Sequence, residues 1–161
     1  MNDSIAIITA RGGSKRIPKK NIKEFCGKPI IAYSIEAALE SKIFNEIMVS
    51  TDDQEIADIA IQYGAKVPFL RSNETSDDFA TTRDVLDEVV QTYKTKLKRS
   101  FDYLCCIYPT APFVSAKKLR EAYDMLKDSN TDQVIPVVQF SFPPQRSFVI
   151  DSDGTLRYKW P

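Results

Sequence analysis

The sequence predicts an α/β protein, a Rossmann-like three-layer αβα sandwich built on a mainly parallel sheet. The first apolar run, residues 5–9, is short, continuous and β-branched, as in a central strand covered on both faces. Strand-like segments then alternate with helix-like segments, a pattern typical of parallel strands joined by right-handed crossovers. The 161 residues, 43% of them hydrophobic, are enough for one domain with its own core.

The first part of the chain contains two strand and helix pairs. After the first strand, residues 29–39 carry apolar side chains at helical spacing and begin with a proline suited to the first helical turn. Residues 46–50 form the second predicted strand. A helix over residues 54–63 follows and is ended by Gly64. The order β-α-β-α is therefore expected by this point.

The remaining elements continue the alternation. They are a strand over residues 66–70, a long amphipathic helix over 81–97, a buried strand over 103–108, a helix capped by Ser115 that runs to about residue 127, and a strand over 133–140. In such a sheet, ligands bind beyond the carboxyl ends of the strands. The loops that follow the strands are therefore expected to hold the functional residues.

The composition changes after residue 140. Residues 1–140 are predicted to form the α/β domain, and residues 141–161 the start of a small arm with a hairpin turn at 151–154. The arm stops at Trp160-Pro161, with nothing left to pack its second strand. We therefore expect the chain to be truncated at its C-terminus.

Bulk properties exclude several classes of function. Lys and Arg number 22 and Asp and Glu 22, so the overall charge points neither to nucleic acid nor to a membrane surface. Histidine is absent, which excludes Ser-His-Asp chemistry and His-ligated zinc. Cys26, Cys105 and Cys106 are expected to be reduced thiols. With no secretory leader and no long apolar window, the protein is expected to be cytoplasmic.

The loop over residues 10–20 carries no acidic residue. Two adjacent glycines allow its backbone amides to face an anion, and its cations supply the charge that a triphosphate needs; these are Arg11, Lys15, Arg16 and Lys20. The loop is neither a Walker A motif nor a dinucleotide fingerprint. The alternative is a solvated basic loop. Lys19, Lys23 and Lys28 are interpreted as surface charge.

Several blocks of the chain together resemble one family. They are IAIITARGGSKRIPKKNIKEFCGKPIIAYSI, VSTDDQEIADIAIQYGAKVPFLR, NETSDDFATT, CCIYPTAPF and PPQRSFVIDSDGTLRYKWP. In this order they are similar to the acylneuraminate cytidylyltransferases, or CMP-nonulosonic acid synthetases, above all to the branch that acts on pseudaminic acid. The resemblance covers nearly the whole chain and implies a fold of the nucleotide-diphospho-sugar transferase type.

The resemblance implies a role for individual residues. The CTP phosphates and ribose would be held by Arg11, Gly12, Gly13, Ser14, Lys15, Lys20 and Asn21, with Arg11 and Lys20 catalytic. The cytosine would lie near Arg71, Ala80 and Thr82, and the sugar acid near Tyr108, Thr110 and Arg146. The alternative for Arg71 is an ion pair with Asp77 or Asp78, with residues 80–82 serving only to begin a helix. Asp52 or Asp53 is expected to cap a helix and not to bind metal.

The implied reaction transfers CMP from CTP to the anomeric hydroxyl of a nonulosonic acid and releases pyrophosphate. The resemblance also implies Mg²⁺, with its protein ligands beyond Pro161, and a homodimer for the full-length protein. The acidic metal-binding motif of relatives that act on the eight-carbon acid KDO is absent around Tyr108. Two alternatives remain open: a nucleotide-binding module without catalysis, and a different sugar nucleotidyltransferase.

Overall fold

The computed structural model describes residues 3–128 and 131–160. The chain divides into two compact units, residues 1–129 and 130–161. The first unit contains β1 (Ser4–Thr9), β2 (Glu24–Phe25), β3 (Lys28–Pro29), α1 (Ile30–Ser41), β4 (Glu46–Ser50), α2 (Gln54–Gln62), α3 (Thr82–Lys96), β5 (Tyr103–Ile107) and α4 (Ala116–Asp128). The second unit contains β6 (Phe148–Ile150) and β7 (Leu156–Tyr158).

A parallel three-stranded sheet forms the centre of the first unit. Its strand order is β4-β1-β5, and Ile7 of β1 lies opposite Met48 of β4 and Cys106 of β5. Helices connect the successive strands, which therefore run in the same direction and end at the same edge of the sheet. The predicted α/β fold with a parallel sheet is confirmed.

Both faces of the sheet are covered by helices. Successive side chains of a strand point to opposite faces, so Ala6 and Ile8 pack in one core cluster with residues of α1, α2 and α4. Ile5 and Ile7 pack in a second cluster with residues of α3. All four side chains are fully buried. The chain thus forms the three predicted layers, with β1 at their centre.

Helix ends follow the predicted capping residues. The side chain of Asp53 accepts hydrogen bonds from the amides of Glu55 and Ile56 and caps α2. Gly64, which follows α2, has φ +94°, a conformation that favours glycine. The hydroxyl of Ser115 accepts a hydrogen bond from the amide of Lys118 at 3.3 Å at the start of α4.

The strand predicted over residues 66–70 is wrong. Only Lys66 joins the sheet, as an isolated parallel bridge to Met48. Its amide donates to the carbonyl of Ile47 at 2.8 Å, and its carbonyl accepts from the amide of Val49 at 2.9 Å. The next residue that would donate toward β4 is Pro68, which has no N–H. The ladder therefore stops after one residue.

The strand predicted over residues 133–140 is also wrong, because this segment contains no regular strand. Pro136 lies in its middle and removes a ladder donor. The apolar side chains of Val137 and Val138 are 89% and 93% exposed, so no neighbouring element buries them. A strand needs a paired neighbour to be stable.

Two short antiparallel hairpins are separate from the parallel sheet. The sequence analysis missed β2 and β3, which are joined by Cys26 (φ +49°) and Gly27 (φ +89°). In the second unit, β6 and β7 pair across the turn predicted at residues 151–154, where the amide of Gly154 donates to the carbonyl of Asp151 at 2.9 Å. The predicted boundary after residue 140 lies inside this second unit. None of the described helices is long and apolar enough to cross a membrane.

A buried carboxylate lies at the amino end of β4. Glu46 is 4% exposed and accepts hydrogen bonds from the Tyr93 hydroxyl at 3.1 Å and the Lys66 ammonium at 3.0 Å, and it also pairs with Arg99. Arg99 in turn binds Asp3 through two contacts of 3.2 Å. Burial and the neighbouring Glu46 raise the pKa of the Tyr93 hydroxyl well above its usual value. This network connects β1, β4 and α3 at the edge where the strands begin.

The three cysteines are free thiols. Burial, with a smaller contribution from Cys106, raises the pKa of Cys105 from 9.0 to about 11, and burial also raises the pKa of Cys106, whereas Cys26 is exposed. The thiolate is the reactive form. At pH 8 we expect the exposed Cys26 to react with Ellman's reagent much faster than Cys105. Equal rates for all three thiols in the folded protein would contradict this.

The same shift predicts how stability varies in alkaline solution. Between pH 9 and 11 the unfolded chain loses the Cys105 proton while the folded chain keeps it. The unfolded state then binds fewer protons, so the free energy of unfolding falls as the pH rises through this window. Urea denaturation at pH 8.5 and 10.5 measures this, and Cys105→Ala should reduce the pH dependence.

Candidate functional site

A cleft of about 480 Å³ opens at the carboxyl ends of the parallel strands. Three segments line it: the loop after β1, the segment from Arg71 into the first turn of α3, and the turn after β5. Its walls carry four cationic side chains, Arg11, Arg16, Lys20 and Arg71, and two carboxylates, Asp77 and Asp78. The cleft therefore has an excess of positive charge and suits an anionic ligand.

Arg11 leads from the end of β1 into the cleft. One terminal nitrogen, Nη1, donates to the carbonyl of Asp77 at 2.6 Å, and the other, Nη2, lies 2.9 Å from Oδ1 of Asp78. Lys15 also pairs with Asp78, but it does not line the cleft and its side chain is 81% exposed. Lys20 lines the cleft and begins a short 3₁₀ helix. The two residues predicted to be catalytic, Arg11 and Lys20, thus lie in one cleft.

Gly12 is packed against the start of α2. Its amide donates to Oδ1 of Asp52 at 2.8 Å, and a Cβ at this position would lie 2.7 Å from Oδ2 and 2.8 Å from Cβ of Asp53. A Cβ on Gly13 would meet nothing within 4 Å. Gly12, Gly13 and Ser14 do not line the cleft. The first glycine therefore allows a close approach of two loops, and the second is free of such contacts.

We expect Gly12→Ala to lower the free energy of unfolding by about 1–3 kcal/mol, because the new methyl group overpacks the cap of α2. Gly13→Ala is the matched control and should change it by less than about 0.5 kcal/mol. Urea denaturation followed by circular dichroism measures both variants. Equal losses in the two would show that the contact with Asp53 is not the reason for Gly12.

Asn21 fixes the base of the loop and leaves one acceptor unused. The side chain is 5% exposed, and its Nδ2 donates to the carbonyl of Arg11 at 2.8 Å. Its Oδ1 is buried and has no hydrogen-bond partner within the described part of the chain. Buried polar atoms are almost always paired, and Asn21 lines the cleft. An orphaned acceptor here favours a ligand with a donor group.

Arg71 is a buried cation held by neutral partners. It is 8% exposed; its Nε donates to the Ser50 hydroxyl at 3.0 Å and its Nη2 to the Ser50 carbonyl at 2.7 Å. Burial lowers its pKa from the usual arginine value. Among the described residues it has no ion pair, so the proposed pairing with Asp77 or Asp78 is wrong. The loop that carries Asp78 places its carboxylate beside Arg11 and Lys15 instead.

Residues 80–82 begin a helix and also line the cleft. Thr81 caps α3 in a reciprocal capping box with Asp84, so the expectation that this segment begins a helix is confirmed. The bond from the Thr81 hydroxyl holds the pKa of Asp84 below its usual value. Ala80, Thr81 and Thr82 nevertheless all line the cleft beside Arg71. The structural role and the predicted binding role are compatible.

The turn after β5 forms the third wall. Tyr108, predicted as the last residue of the strand, lies outside it, and its carbonyl accepts from the buried Ser34 hydroxyl of α1 at 2.9 Å. Its hydroxyl lies 3.4 Å from that of Thr82, and Thr110 also lines the cleft. Arg146, by contrast, belongs to the second unit, where it ends the 3₁₀ helix Pro144–Arg146.

The structure adds residues that the sequence analysis did not assign to the site. They are Thr9, Thr75, Asp77, Asp78, Val85 and Pro109. Arg16, which the sequence analysis counts among the cations for a triphosphate, also lines the cleft. Asp77 and Asp78 were considered only as partners of Arg71. Their position after β1 and before α3 was the available signal, because those loops meet at the same sheet edge. Within the described residues, no group of three or more acidic, cysteine or histidine side chains forms a metal site.

Comparison with known proteins now decides the family. Residues 5–148 match the family model described as cytidylyltransferase. The chain belongs to this cytidylyltransferase family. It is 42% identical over 153 residues to a pseudaminic acid cytidylyltransferase of Campylobacter jejuni, covering 95% of this chain and 66% of that relative. It is also 42% identical over 154 residues to a CMP-N,N'-diacetyllegionaminic acid synthase of Legionella pneumophila, covering 94% and 65%.

Similarity to a solved structure supports the fold. That structure is a CMP:2-keto-3-deoxy-manno-octonic acid synthetase complexed with CTP, with a TM-score of 0.65 and 25% identity, and the match covers 78% of this chain and 48% of that one. The cytidylyltransferase fold is thus the fold of this chain. The chain spans just under two thirds of the length of the two curated relatives above.

Proposed function

We propose that this protein transfers CMP from CTP to the anomeric hydroxyl of a nonulosonic acid and releases pyrophosphate. The observation that carries the proposal is the cleft itself, which combines the cations Arg11 and Lys20 with the buried Arg71 and the orphaned acceptor of Asn21. Membership of the cytidylyltransferase family agrees with it. The relatives named for pseudaminic and legionaminic acids point to the class of sugar acid.

In the proposed reaction, Arg11, Arg16 and Lys20 bind the triphosphate. The sugar hydroxyl oxygen attacks the α-phosphorus and gives up its proton to water, the bond from that phosphorus to the bridging oxygen breaks, and pyrophosphate leaves with its negative charge. Fixed cations at this position stabilise the charge as it develops. The buried Oδ1 of Asn21 accepts a hydrogen bond from a ribose hydroxyl, which satisfies a buried side-chain acceptor that has no partner among the described residues.

In the proposed site, Arg71 favours a nucleotide whose base is cytosine over one whose base is uracil. Its Nε and Nη2 are bound to Ser50, so the guanidinium is held in one orientation with donors only. The O2 and N3 atoms of cytosine are both acceptors, whereas N3 of uracil carries a hydrogen. A buried guanidinium N–H of Arg71 that faces the N3–H of uracil has no acceptor, and this lowers the affinity for a uracil nucleotide. Ala80 and Thr82 are small and leave room for the ring.

We propose Mg²⁺ as the cofactor. No cluster of three or more acidic, cysteine or histidine side chains lies within the described residues. Mg²⁺ is commonly held by the phosphates of its substrate and only one or two carboxylates, and it neutralises phosphate charge when bound. Loss of pyrophosphate release on addition of EDTA, restored by excess MgCl₂, is the expected result.

The test of the function is pyrophosphate release by the full-length protein with CTP, Mg²⁺ and a panel of pseudaminic, legionaminic and N-acetylneuraminic acids. Release with at least one acid supports the proposal. No release from any acid, with CTP binding retained, leaves a nucleotide-binding module without catalysis. Thermal shifts with CTP, UTP, GTP and ATP test the base; a larger shift with UTP than with CTP indicates a different sugar nucleotidyltransferase.

We also propose that the full-length protein is a cytoplasmic homodimer. In the second unit, the β6–β7 hairpin exposes 54% of Phe148, 74% of Ile150 and 62% of Leu156. An apolar surface of this kind is typical of a subunit contact, and closed two-fold pairs are the commonest soluble oligomers. Light scattering should give twice the monomer mass, and a monomer at micromolar concentration would overturn the dimer.

A further inference from the structure

Asp78 pairs with Arg11, one of the three cations that the proposed function assigns to the triphosphate, and with the nearby loop cation Lys15. Its Oδ1 lies 2.9 Å from Nη2 of Arg11, and its Oδ2 pairs with the ammonium of Lys15. The carbonyl of the preceding Asp77 accepts from Nη1 of Arg11 at 2.6 Å. Two cations of the loop after β1 are therefore bound by residues 77–78.

A tight turn presents this carboxylate. Oδ1 of Asp77 accepts from the amides of Phe79 and Ala80 at 2.9 and 2.7 Å, which fixes the chain on both sides of Asp78. The pairing with Lys15, and then with Arg11, holds the pKa of Asp78 below its usual value. The carboxylate therefore stays charged at neutral pH, and its two oxygens bind cations as phosphate oxygens do.

We propose that Asp78 is an internal competitor of the nucleotide: it pairs with Arg11, and the triphosphate must displace it from that guanidinium to bind. This inference rests on the proposed function. The phosphates and the Asp78 carboxylate need the same donors of Arg11, and two like charges held close together repel each other.

The size of the effect follows from the exposure of the pairs. The side chains of Arg11, Lys15 and Asp78 are 35%, 81% and 38% exposed, so solvent screens both contacts. Each exposed pair contributes little, and removal of the competitor should tighten triphosphate binding by about threefold to tenfold. A residue that served only to position Arg11 and Lys15 would give the opposite sign, because its loss would weaken binding.

The test compares Asp78→Asn with Asp77→Asn in this chain. Both variants remove one negative charge from the same wall, and an asparagine at 77 still provides the side-chain oxygen for the turn. Calorimetry at low salt uses three probes: CTP, inorganic tripolyphosphate and cytidine. We expect Asp78→Asn to tighten CTP and tripolyphosphate by about threefold to tenfold, Asp77→Asn to give a clearly smaller gain, and cytidine binding to stay the same.

The possible outcomes test the competition by Asp78 and the proposed function separately. Weaker or equal CTP binding by Asp78→Asn, or equal gains in the two variants, overturns the competition and leaves the function standing. If the unmodified chain binds tripolyphosphate but not CTP, and Asp78→Asn still gains, the function fails and the competition holds. No binding of either probe by all three proteins overturns both. If Asp78→Asn does not fold, Asp78→Ser is measured in the same way.

Discussion

Lys20→Gln is expected to lower the kcat of the proposed reaction by about 100-fold or more. Lys20 lines the cleft beside Arg11, and the proposed reaction places negative charge on the departing pyrophosphate. Removal of one fixed group that stabilises developing charge commonly costs a factor of 10² to 10³ in kcat. The loss should fall mainly on kcat, because the charge on the leaving group is greatest in the transition state.

Lys19→Gln is the matched control. It removes the same charge one residue away, but Lys19 does not line the cleft and pairs with Glu55 on the surface. Its kcat should stay within about twofold of the unmodified protein, since an exposed charge outside the site acts only through screened, long-range interactions. Pyrophosphate release at saturating CTP and sugar acid measures both. A loss that is equal in the two variants would assign Lys20 to general surface charge.

The sequence predicted the layers of this fold because each layer has its own local pattern. The continuous apolar run of β1 predicts a strand buried on both faces, and both of its faces are in fact covered. Capping residues predicted the helix starts, as at Asp53 and Ser115. The errors at residues 66–70 and 133–140 have one common feature. Both segments have strand-like composition but contain a proline, and proline removes the donor that the ladder needs.

The contents of the cleft were partly predictable for a different reason. Parallel strands end at one edge, so loops that are distant in sequence, such as those of Arg11, Arg71 and Tyr108, must meet there. Which side chain pairs with which was not predictable. The alternative partner for Arg71 was Asp77 or Asp78, but in the structure Asp78 forms an ion pair with Arg11. Pairing of this kind depends on the path of two loops, and no local pattern encodes it.

The roles of the two loop glycines show the same limit. Paired glycines predict a backbone that can approach an anion. The structure gives Gly12 a packing role as well, because its position leaves no room for a Cβ beside Asp53. Asp53 caps α2, and α2 packs under the sheet. The contact between Gly12 and Asp53 therefore joins the loop after β1 to the cap of α2. The sequence alone does not reveal this contact.

Glu46→Ala is expected to lower the free energy of unfolding by about 2–3 kcal/mol. It leaves the Tyr93 hydroxyl, which belongs to a fully buried side chain, without its acceptor, and it removes a carboxylate that compensates Arg99 and Lys66. Breaking a fully buried pair costs about 3–5 kcal/mol. The cost is lower here because the side chains of Arg99 and Lys66 are 33% and 65% exposed and water replaces part of the contact.

Two further variants separate the parts of this loss. Tyr93→Phe removes only the hydroxyl and should cost about 1 kcal/mol, whereas Glu46→Gln keeps an acceptor for Tyr93 and should retain part of the stability. Urea denaturation of Glu46→Ala, Tyr93→Phe and the double variant gives their coupling energy. Because Glu46 lies where β4 begins and the cleft lies where the strands end, the folded Glu46→Ala protein should bind CTP with unchanged affinity. A weaker affinity in the folded variant would show that the two edges of the sheet are coupled, and unchanged stability would show that water satisfies the Tyr93 hydroxyl.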